Sequence, residues 1–256
     1  MLRFAANISM LFNEVAFPDR FQAAKQAGFE AVEFQFPYEY TIETIAGALK
    51  NTNLSNILFN LPPGNWQAGE RGLAAIPGKE DDFRQSLDRA LAYALALKTP
   101  QLHAMAGIPN QAMKYNLCKK TYIENLIFAS KFLEEHDIRL LIEPINTHDI
   151  PGYFLHDLDE AERIIEAVSS SNLFIQMDLY HIQIMQGDLA RRIRKHLPHV
   201  GHIQIAGIPD RHEPDQGEIY YPYLFKLLED LGYTGYIGCE YWPKTSTIEG
   251  LDWRFH

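Results

Sequence analysis

The sequence predicts an α/β fold, a single (β/α)8 TIM barrel over residues 1–256. Three observations support this prediction. Short apolar segments alternate with longer amphipathic ones, which is typical of parallel βα units. Eight apolar segments can be counted, and no low-complexity tract or Ser/Gly-rich linker divides the chain. A barrel of eight such units commonly uses about 250 residues as one domain.

The strands are predicted where four to six residues are mostly apolar and a turn or a helical pattern follows. Several of these segments end in a polar residue. In chain order the predicted strands are 2–7, 31–36, 55–60, 101–106, 138–143, 173–178, 202–207 and 236–241.

Seven helices are predicted between the strands, at 19–28, 42–51, 80–98, 115–136, 157–168, 188–197 and 221–232. The first has Asp19 as a candidate N-cap and Gly28 as a candidate C-cap. An open, doubly wound sheet is the alternative to a barrel. It is disfavoured because the first βα turn contains no glycine, so the dinucleotide-binding fingerprint is absent, and the phosphate-loop pattern is absent too.

Composition and charge exclude several classes of partner. The net charge is −10, which argues against a nucleic-acid partner because such binding requires Lys and Arg to neutralise phosphates. Two distant cysteines, Cys118 and Cys239, form no disulfide framework and fit a reducing, cytoplasmic location. No signal peptide and no apolar stretch of roughly 20 residues is present, so no membrane association is expected. Homo-oligomerisation is left open.

Oxygen-bearing side chains lie near the carboxyl ends of the last four predicted strands: Glu143, Asp178, Gln204 and Glu240. In a (β/α)8 barrel these ends converge at one mouth, where active sites lie. A single residue of this kind after a strand more often begins a solvated loop or caps a helix. Four at equivalent positions of four successive strands favour a functional site at the mouth. Buried carboxylates are costly unless paired or metal-bound. Oxygen-only ligands, with the Gln204 carbonyl turned inward, suit Mg²⁺ or Mn²⁺.

Two glutamates beside such a cation suggest proton transfer. A metal chelated by neighbouring carbonyl and hydroxyl oxygens polarises the C–H bond between them. One carboxylate can remove this proton and a second can return a proton to the adjacent carbon, through an enediolate. Glu143 and Glu240 are the candidates for these two bases because their side chains are longer than that of Asp178.

At these residues the chain resembles the hydroxypyruvate isomerase family, within the xylose-isomerase-like barrels that include ketose 3-epimerases and endonuclease IV. The resemblance covers nearly the whole chain and shows in "RFAANISMLFNE", "GFEAVEFQFPYEY", "NLPPGNWQAGERG", "LIEPINTHDIPGY", "IQMDLYHIQ", "GHIQIAGIPDRHEPDQGEI" and "GCEYWP". It implies interconversion of hydroxypyruvate and tartronate semialdehyde, as in glyoxylate metabolism. A sister group isomerises 2-oxo-tetronates. The segments "QAGERG" and "LIEPIN" look more like the hydroxypyruvate branch, whereas "HAMAG" and "IQIAGIPDRHEP" look at least as much like the sister group.

The resemblance also implies roles for individual residues. Glu143 and Glu240 would be the proton donor and acceptor pair. By analogy with the epimerases, these two residues, Asp178 and Gln204 would hold the metal, and His181 and Arg211 would contact substrate. The epimerases have histidine where this chain has Gln204, which leaves both the identity of the metal and the need for one open.

Both substrate types are small anionic 2-oxo or 2-hydroxy acids, so a cation should line the pocket. Arg211 lies just past the seventh predicted strand, on the side of the mouth. Arg71 lies in the long loop after the third strand, and loops of this kind are often lids. A local salt bridge with Glu70 explains Arg71 equally well. His181 lies three residues after Asp178, so one helical turn would bring it over the same mouth.

Three further residues are weaker candidates for substrate binding. His103 lies inside the fourth predicted strand, where a lone histidine is more often a core residue. Asn7 and Asn60 end the first and third strands and could bind substrate or cap the next segment.

Two other function classes compete with the isomerase. An endonuclease IV-like hydrolase would need a His-rich zinc site and a basic DNA-binding face, which this acidic chain lacks. A catalytically silent binding barrel would be favoured if Glu143 or Glu240 were missing, and both are present.

Overall fold

The computed structural model describes residues 2–255 and confirms the predicted barrel. Eight parallel strands pair in chain order and close on themselves, because the first pairs with the eighth through Arg3 and Tyr236 at one end and Ala6 and Cys239 at the other. The strands are β1 (Arg3–Asn7), β2 (Ala31–Glu33), β3 (Ser55–Asn60), β4 (Gln101–His103), β5 (Arg139–Ile142), β6 (Leu173–Asp178), β7 (Val200–Ile205) and β8 (Tyr236–Cys239).

Helices surround the barrel and bury one face each against it. They are α1 (Phe17–Gln26), α2 (Ile42–Thr52), α3 (Glu80–Leu97), α4 (Tyr115–Glu134), α5 (Leu158–Val168), α6 (Leu179–Met185), α7 (Leu189–His196) and α8 (Tyr221–Asp230). No helix within residues 2–255 is long and apolar enough to cross a membrane.

Two details of the helices differ from the sequence prediction. α1 begins at Phe17, its N-cap is Ala16, and Asp19 lies in its first turn, so the predicted Asp19 cap is wrong. Pro18 lies in the first turn of α1. Proline is favoured there because its fixed φ suits a helix and its missing N–H has no partner to lose at a helix start. α6 was not predicted as a helix of its own, since seven residues are too few for a clear helical period. Asp178 caps it by accepting a hydrogen bond from the Tyr180 amide.

Several strands end before the predicted position. β5 ends at Ile142 and β8 at Cys239, so Glu143 and Glu240 are the first residues past the ladder. Both residues stay buried at the barrel mouth, with 5% and 6% of their surface exposed, and the Glu240 amide still donates a hydrogen bond to the Ile205 carbonyl of β7. The two strands therefore end just where the glutamate side chains reach the barrel mouth.

The middle of the barrel contains a buried carboxylate. Glu33 extends from β2 across the interior to Gly238 on β8, where a Cβ atom would lie 2.4 Å from Glu33 Oε2. His202 on β7 approaches the same oxygen to 2.6 Å. Glycine at position 238 thus leaves the space that the Glu33 carboxylate occupies.

We expect Gly238→Ala to destabilise the fold by about 1–3 kcal/mol, because the added methyl group overpacks a closed interior. Gly47→Ala is the matched control. Gly47 lies within α2 and a Cβ there meets nothing within 4 Å, so alanine should stabilise by about 0.5–1 kcal/mol. Urea unfolding of both variants measures the two effects. Equal stability of the two would contradict the close approach of Glu33 to Gly238.

Candidate active site

A cavity of about 230 Å³ opens at the carboxyl ends of the strands. Apolar and aromatic side chains form part of its wall, among them Phe36, Trp66 and Trp242. Most of the predicted site residues line it as well: Asn7, Asn60, Glu143, His181, Gln204, Arg211 and Glu240. The mouth of this barrel therefore holds the polar cluster that the strand ends indicated.

Asp178 lies at the end of β6, beside the cavity and fully buried. Its Oδ1 accepts a hydrogen bond of 2.9 Å from the Tyr180 amide, and its Oδ2 accepts one of 3.3 Å from Arg211 Nη2. Burial raises the pKa of Asp178 to about 6, although Arg211 acts in the opposite direction. The carboxylate thus connects the start of α6 to the loop after β7.

Arg211 supplies the positive charge of the cavity. The Arg211 backbone has a positive φ of 56°. The side-chain Nη2 lies 3.7 Å from Glu240 Oε1 and 3.4 Å from His181 Nε2. The guanidinium group stacks over the Tyr180 ring at 4.9 Å. Its Nε has no hydrogen-bond partner within residues 2–255, which leaves a buried donor available to a ligand.

Glu143 and Glu240 are both buried and both have raised pKa values. Burial raises the pKa of Glu240 to about 7, against the opposing effect of Arg211. Burial, followed by the charges of Glu240 and Asp178, raises the pKa of Glu143 well above its usual range. Gln35 donates a hydrogen bond of 2.9 Å to Glu240 Oε1. Near neutral pH these two groups can therefore hold a proton between them.

Asn146 determines which nitrogen of His181 carries the proton. Its Oδ1 accepts hydrogen bonds from the amides of His148 and Asp149, so its Nδ2 is the atom that meets His181 Nδ1 at 2.7 Å. The imidazole nitrogen Nδ1 is then the acceptor, and in the neutral ring Nε2 carries hydrogen. Burial lowers the pKa of His181 well below its usual range. His181 is thus a neutral donor beside Asp178.

Gln204 belongs to a hydrogen-bonded network around Glu33. Its Nε2 donates to Glu33 Oε1 at 2.7 Å, and Asn7 Nδ2 donates to the same oxygen at 3.0 Å. Gln204 Oε1 accepts a hydrogen bond of 2.6 Å from Gln176 Nε2. The carbonyl oxygen predicted to face a metal therefore has one protein partner already and one lone pair left.

The donor set fits a divalent cation. Ligand atoms of Glu143, Asp178 and His181 lie within 4.8 Å of one another. With Glu240, three buried carboxylates meet the single guanidinium of Arg211 in this part of the structure, and burial has raised all three of their pKa values. A divalent cation would relieve this excess of negative charge. The protonated Nε2 leaves His181 better suited to donate to a substrate than to bind the ion.

His103 lies behind Glu143 and does not line the cavity. Its Nδ1 is 3.2 Å from Asn60 Oδ1 and 3.5 Å from Glu143 Oε2. Burial lowers the pKa of His103 to about 3, so the ring is neutral. Asn60 lines the cavity, and its backbone carbonyl accepts a hydrogen bond from Tyr38. The arrangement makes His103 a support for Glu143 rather than a direct contact of a ligand in the cavity.

Arg71 lies outside the cavity wall. Its Nη1 donates to the backbone carbonyls of Trp66 and Glu70 at 2.9 Å each, and its guanidinium group stacks on the Trp66 ring at 3.7 Å. Trp66 in turn lines the cavity and packs against Phe36. The structure therefore places Arg71 behind an aromatic wall, without a side-chain salt bridge to Glu70 among the described contacts.

Sequence reasoning missed several residues that build the site. Gln176 lies two residues before Asp178 on β6, so the alternation of a strand already places both on the inner face, and this signal could have identified it. Gln35 and Asn146 lie in irregular segments after β2 and β5. No periodic pattern marks such positions.

The raised pKa of Glu240 predicts a pH-dependent stability for the metal-free protein. A carboxyl whose pKa rises on folding, here from 4.5 to about 7, stabilises the fold at acidic pH. This contribution is lost as the pH rises through the folded-state value, by at most about 1.4 kcal/mol per pH unit. We expect the free energy of unfolding of the wild type, measured relative to Glu240→Gln, to fall between about pH 5 and about pH 8. Urea unfolding in EDTA measures it, and a constant or rising difference would contradict the assignment.

The comparisons with known proteins agree with this fold. The family described as xylose isomerase-like TIM barrel matches residues 21–254. A 2-oxo-tetronate isomerase from Cupriavidus necator is 51% identical over 99% of this chain and 97% of its own length. The hydroxypyruvate isomerase of Escherichia coli is 46% identical over 99% and 98%. The crystal structure of AP endonuclease, family 2 from Brucella melitensis superimposes with a TM-score of 0.97 at 52% identity, covering 99% and 98%.

The closed barrel of eight parallel strands and the match to the family model define the class of this chain. The chain belongs to the xylose isomerase-like TIM barrels and, within them, is an isomerase of the hydroxypyruvate isomerase family.

Proposed function

We propose that this isomerase interconverts hydroxypyruvate and tartronate semialdehyde by proton transfer through an enediolate. The observation that carries the proposal is the pair Glu143 and Glu240, buried at one cavity, where burial raises the pKa of Glu240 to about 7 and that of Glu143 well above its usual range. A carboxylate removes a proton from C3 of hydroxypyruvate, and a proton is delivered to C2. The hydroxyl proton moves from the oxygen on C3 to the oxygen on C2, so that all atoms balance.

Arg211 and His181 are suited to binding the substrate. The Arg211 guanidinium has an unused, buried Nε–H, which can donate to the substrate carboxylate, since charged donors favour carboxylate oxygens. His181 is neutral and carries its hydrogen on Nε2, so it can donate to a carbonyl or enediolate oxygen without first giving up a charge. Both groups are fixed by the contacts described above before a substrate enters.

The two glutamates divide the proton transfer between them. Burial raises the pKa of Glu240 to about 7, and burial with the charges of Glu240 and Asp178 raises that of Glu143 well above its usual range, so one carboxyl can be ionised while the other is protonated. A catalytic pair in opposite protonation states can remove and return a proton in one turnover. Hydrogen exchange at C3 in the two glutamine variants distinguishes which glutamate acts at which carbon.

A divalent metal, Mg²⁺ or Mn²⁺, fits this proposal. Glu143, Asp178 and Glu240 would hold it, together with the remaining lone pair of Gln204. Such an ion would polarise the substrate carbonyl and stabilise the negative charge of the enediolate. The oxygen-rich donor set is what favours these two metals over zinc.

The test is to incubate the purified protein with hydroxypyruvate in D₂O and to follow tartronate semialdehyde by NMR, with EDTA and with added Mg²⁺ or Mn²⁺. Turnover that EDTA abolishes and metal restores supports the isomerase and the metal together. Turnover that is indifferent to EDTA supports the isomerase without the metal. Absence of turnover in every condition overturns the assignment of hydroxypyruvate as substrate.

A 2-oxo-tetronate is the second candidate substrate, since the Cupriavidus relative at 51% identity is a 2-oxo-tetronate isomerase. The chemistry is the same: a proton moves from C3 to C2, and only a hydroxymethyl group on C3 is added. The ratio of kcat/KM for the two substrates decides between them. A higher value for the 2-oxo-tetronate would transfer the assignment to that substrate and leave the roles of the glutamates unchanged.

The isomerase is favoured over a nuclease such as the name of the Brucella relative suggests. The chain has a net charge of −10, and DNA binding relies on positive charge. His181 is the single histidine that lines the cavity in the described part of the chain, whereas a zinc-dependent hydrolase of the endonuclease IV type would need several. The ketose 3-epimerase alternative shares the fold and the enediolate chemistry, and activity on free ketoses tests it directly.

A further inference from the structure

A second cluster of ligand-type side chains lies outside the barrel, between α5 and α7. Asp159 and Glu162 are one turn apart on α5, and His196 is the last residue of α7. His199 follows one turn later, with Nε2 4.0 Å from Glu162 Oε1. Two carboxylates and two imidazoles, each pair three residues apart, thus face each other across two helices. None of these residues belongs to the cavity at the barrel mouth.

His196 is the unusual member of this cluster. Its side chain has 0% of its surface exposed, yet neither ring nitrogen has a hydrogen-bond partner among residues 2–255. Nε2 lies 3.4 Å from Asp159 Oδ1, and Nδ1 lies 3.6 Å from Glu162 Oε1. A buried polar group without a partner is costly and calls for an explanation. One imidazole gives a single nitrogen to one ion, so Nε2, beside Asp159, would bind a cation, and Nδ1 would donate its hydrogen to Glu162 Oε1.

Basic side chains currently neutralise the two carboxylates. Lys195 Nζ lies 2.6 Å from Asp159 Oδ1 and 3.0 Å from Glu162 Oε2, and Arg192 Nη1 lies 3.3 Å from Asp159 Oδ2. The Lys195 side chain is 54% exposed, so it can move into solvent when another cation enters. The cluster therefore already accommodates positive charge at the required place.

The protonation states suit metal binding. The hydrogen bond from Lys195 and the neighbouring cations lower the pKa of Asp159 to about 2, so this carboxyl is ionised. Burial lowers the pKa of His196, which favours the neutral ring. An ionised carboxylate and a neutral imidazole are the forms that bind metals.

We propose that Asp159, Glu162 and His196 bind a divalent transition metal of the Zn²⁺ type, with the fourth position open to water. Mixed nitrogen and oxygen ligands favour such ions over Mg²⁺. Ligands about 2.0–2.1 Å from a tetrahedral zinc are roughly 3.3–3.4 Å apart, close to the 3.4 Å between His196 Nε2 and Asp159 Oδ1. The ion would join α5 to α7. In the chain these helices precede and follow α6, the helix that carries His181.

The experiment uses the full chain with the barrel mouth disabled, so that the two metal sites are separated. In a Glu143→Gln/Asp178→Asn background, Co²⁺ is titrated into EDTA-treated protein and followed by its visible absorption and by calorimetry, with Zn²⁺ as competitor and Mg²⁺ as negative control. We expect one equivalent of Co²⁺ to bind, Zn²⁺ to displace it and Mg²⁺ to have no effect. Adding His196→Gln should weaken Co²⁺ binding at least tenfold.

Lys195→Ala gives a second, independent variant. It removes a half-exposed side chain that competes with the ion, so the fold should be unaffected and Co²⁺ should bind about tenfold more tightly. Circular dichroism and thermal unfolding confirm that each variant is folded. Absence of Co²⁺ binding in both the background and the Lys195→Ala variant overturns the proposal. Binding that His196→Gln leaves unchanged also overturns it, since the acidic residues alone would then hold the ion.

Discussion

Replacing Glu143 or Glu240 by glutamine is expected to lower kcat for hydroxypyruvate by about 10²–10⁴-fold, the usual contribution of a positioned acid or base. Glutamine keeps the shape of the side chain but cannot carry the proton. Both carboxyls are buried with raised pKa values, so removing either charge relieves repulsion at the mouth. The variants should therefore be at least as stable as the wild type, and the loss of rate cannot be attributed to unfolding.

Hydrogen exchange in D₂O then assigns the two roles. The variant that lacks the base acting at C3 should release no C3 proton from hydroxypyruvate. The other should still exchange this proton while forming little product, because delivery to C2 is impaired. Glu39→Gln is the control, since Glu39 is an exposed carboxylate after β2 that does not line the cavity. Wild-type turnover in both folded variants would remove the two glutamates from the mechanism.

The strand pattern in the sequence was sufficient to predict the barrel and the gathering of oxygen ligands at its mouth. Glu143, Asp178, Gln204 and Glu240 lie at, or within one residue of, the ends of four consecutive strands, and a closed parallel sheet brings such positions to one end. This prediction depends on local periodicity and topology alone. It holds although β5 and β8 end before the predicted positions, because the glutamates stay buried one residue past the ladder.

The contacts that set the chemistry could not be predicted in the same way. The proton position of His181 depends on Asn146, 35 residues earlier in the chain, and the amide of Gln204 is held by Glu33, 171 residues away. Arg211 reaches Asp178 from a loop whose backbone has a positive φ. Such contacts follow from how loops close over the folded barrel, and no period in the sequence encodes them. For the same reason the sequence left Arg71 open between substrate binding and a local salt bridge, and the structure places it outside the cavity that Arg211 lines.

Replacing Arg211 by alanine is the second change with a large expected effect. Loss of a charge-assisted contact with the substrate carboxylate should lower kcat/KM for hydroxypyruvate by roughly 10- to 150-fold. The same change alters the acid–base pair. Because the charge of Arg211 lowers the pKa of Glu240, which is about 7 in its presence, removing it raises this pKa further. The acidic limb of the pH profile should move to higher pH, and part of the lost activity should return in alkaline buffer.

The profile of kcat/KM against pH, measured for the wild type, Arg211→Ala and Arg211→Lys, separates the two contributions. Lysine restores the charge but not the planar donor group, so it should return the acidic limb toward the wild-type position while leaving KM high. Arg71→Ala is the matched control, because its guanidinium stacks on Trp66 outside the cavity. That variant can change KM through the aromatic wall but should not move the limb. A limb that stays in place in Arg211→Ala, or that moves to lower pH, would show that Arg211 does not set the protonation of Glu240.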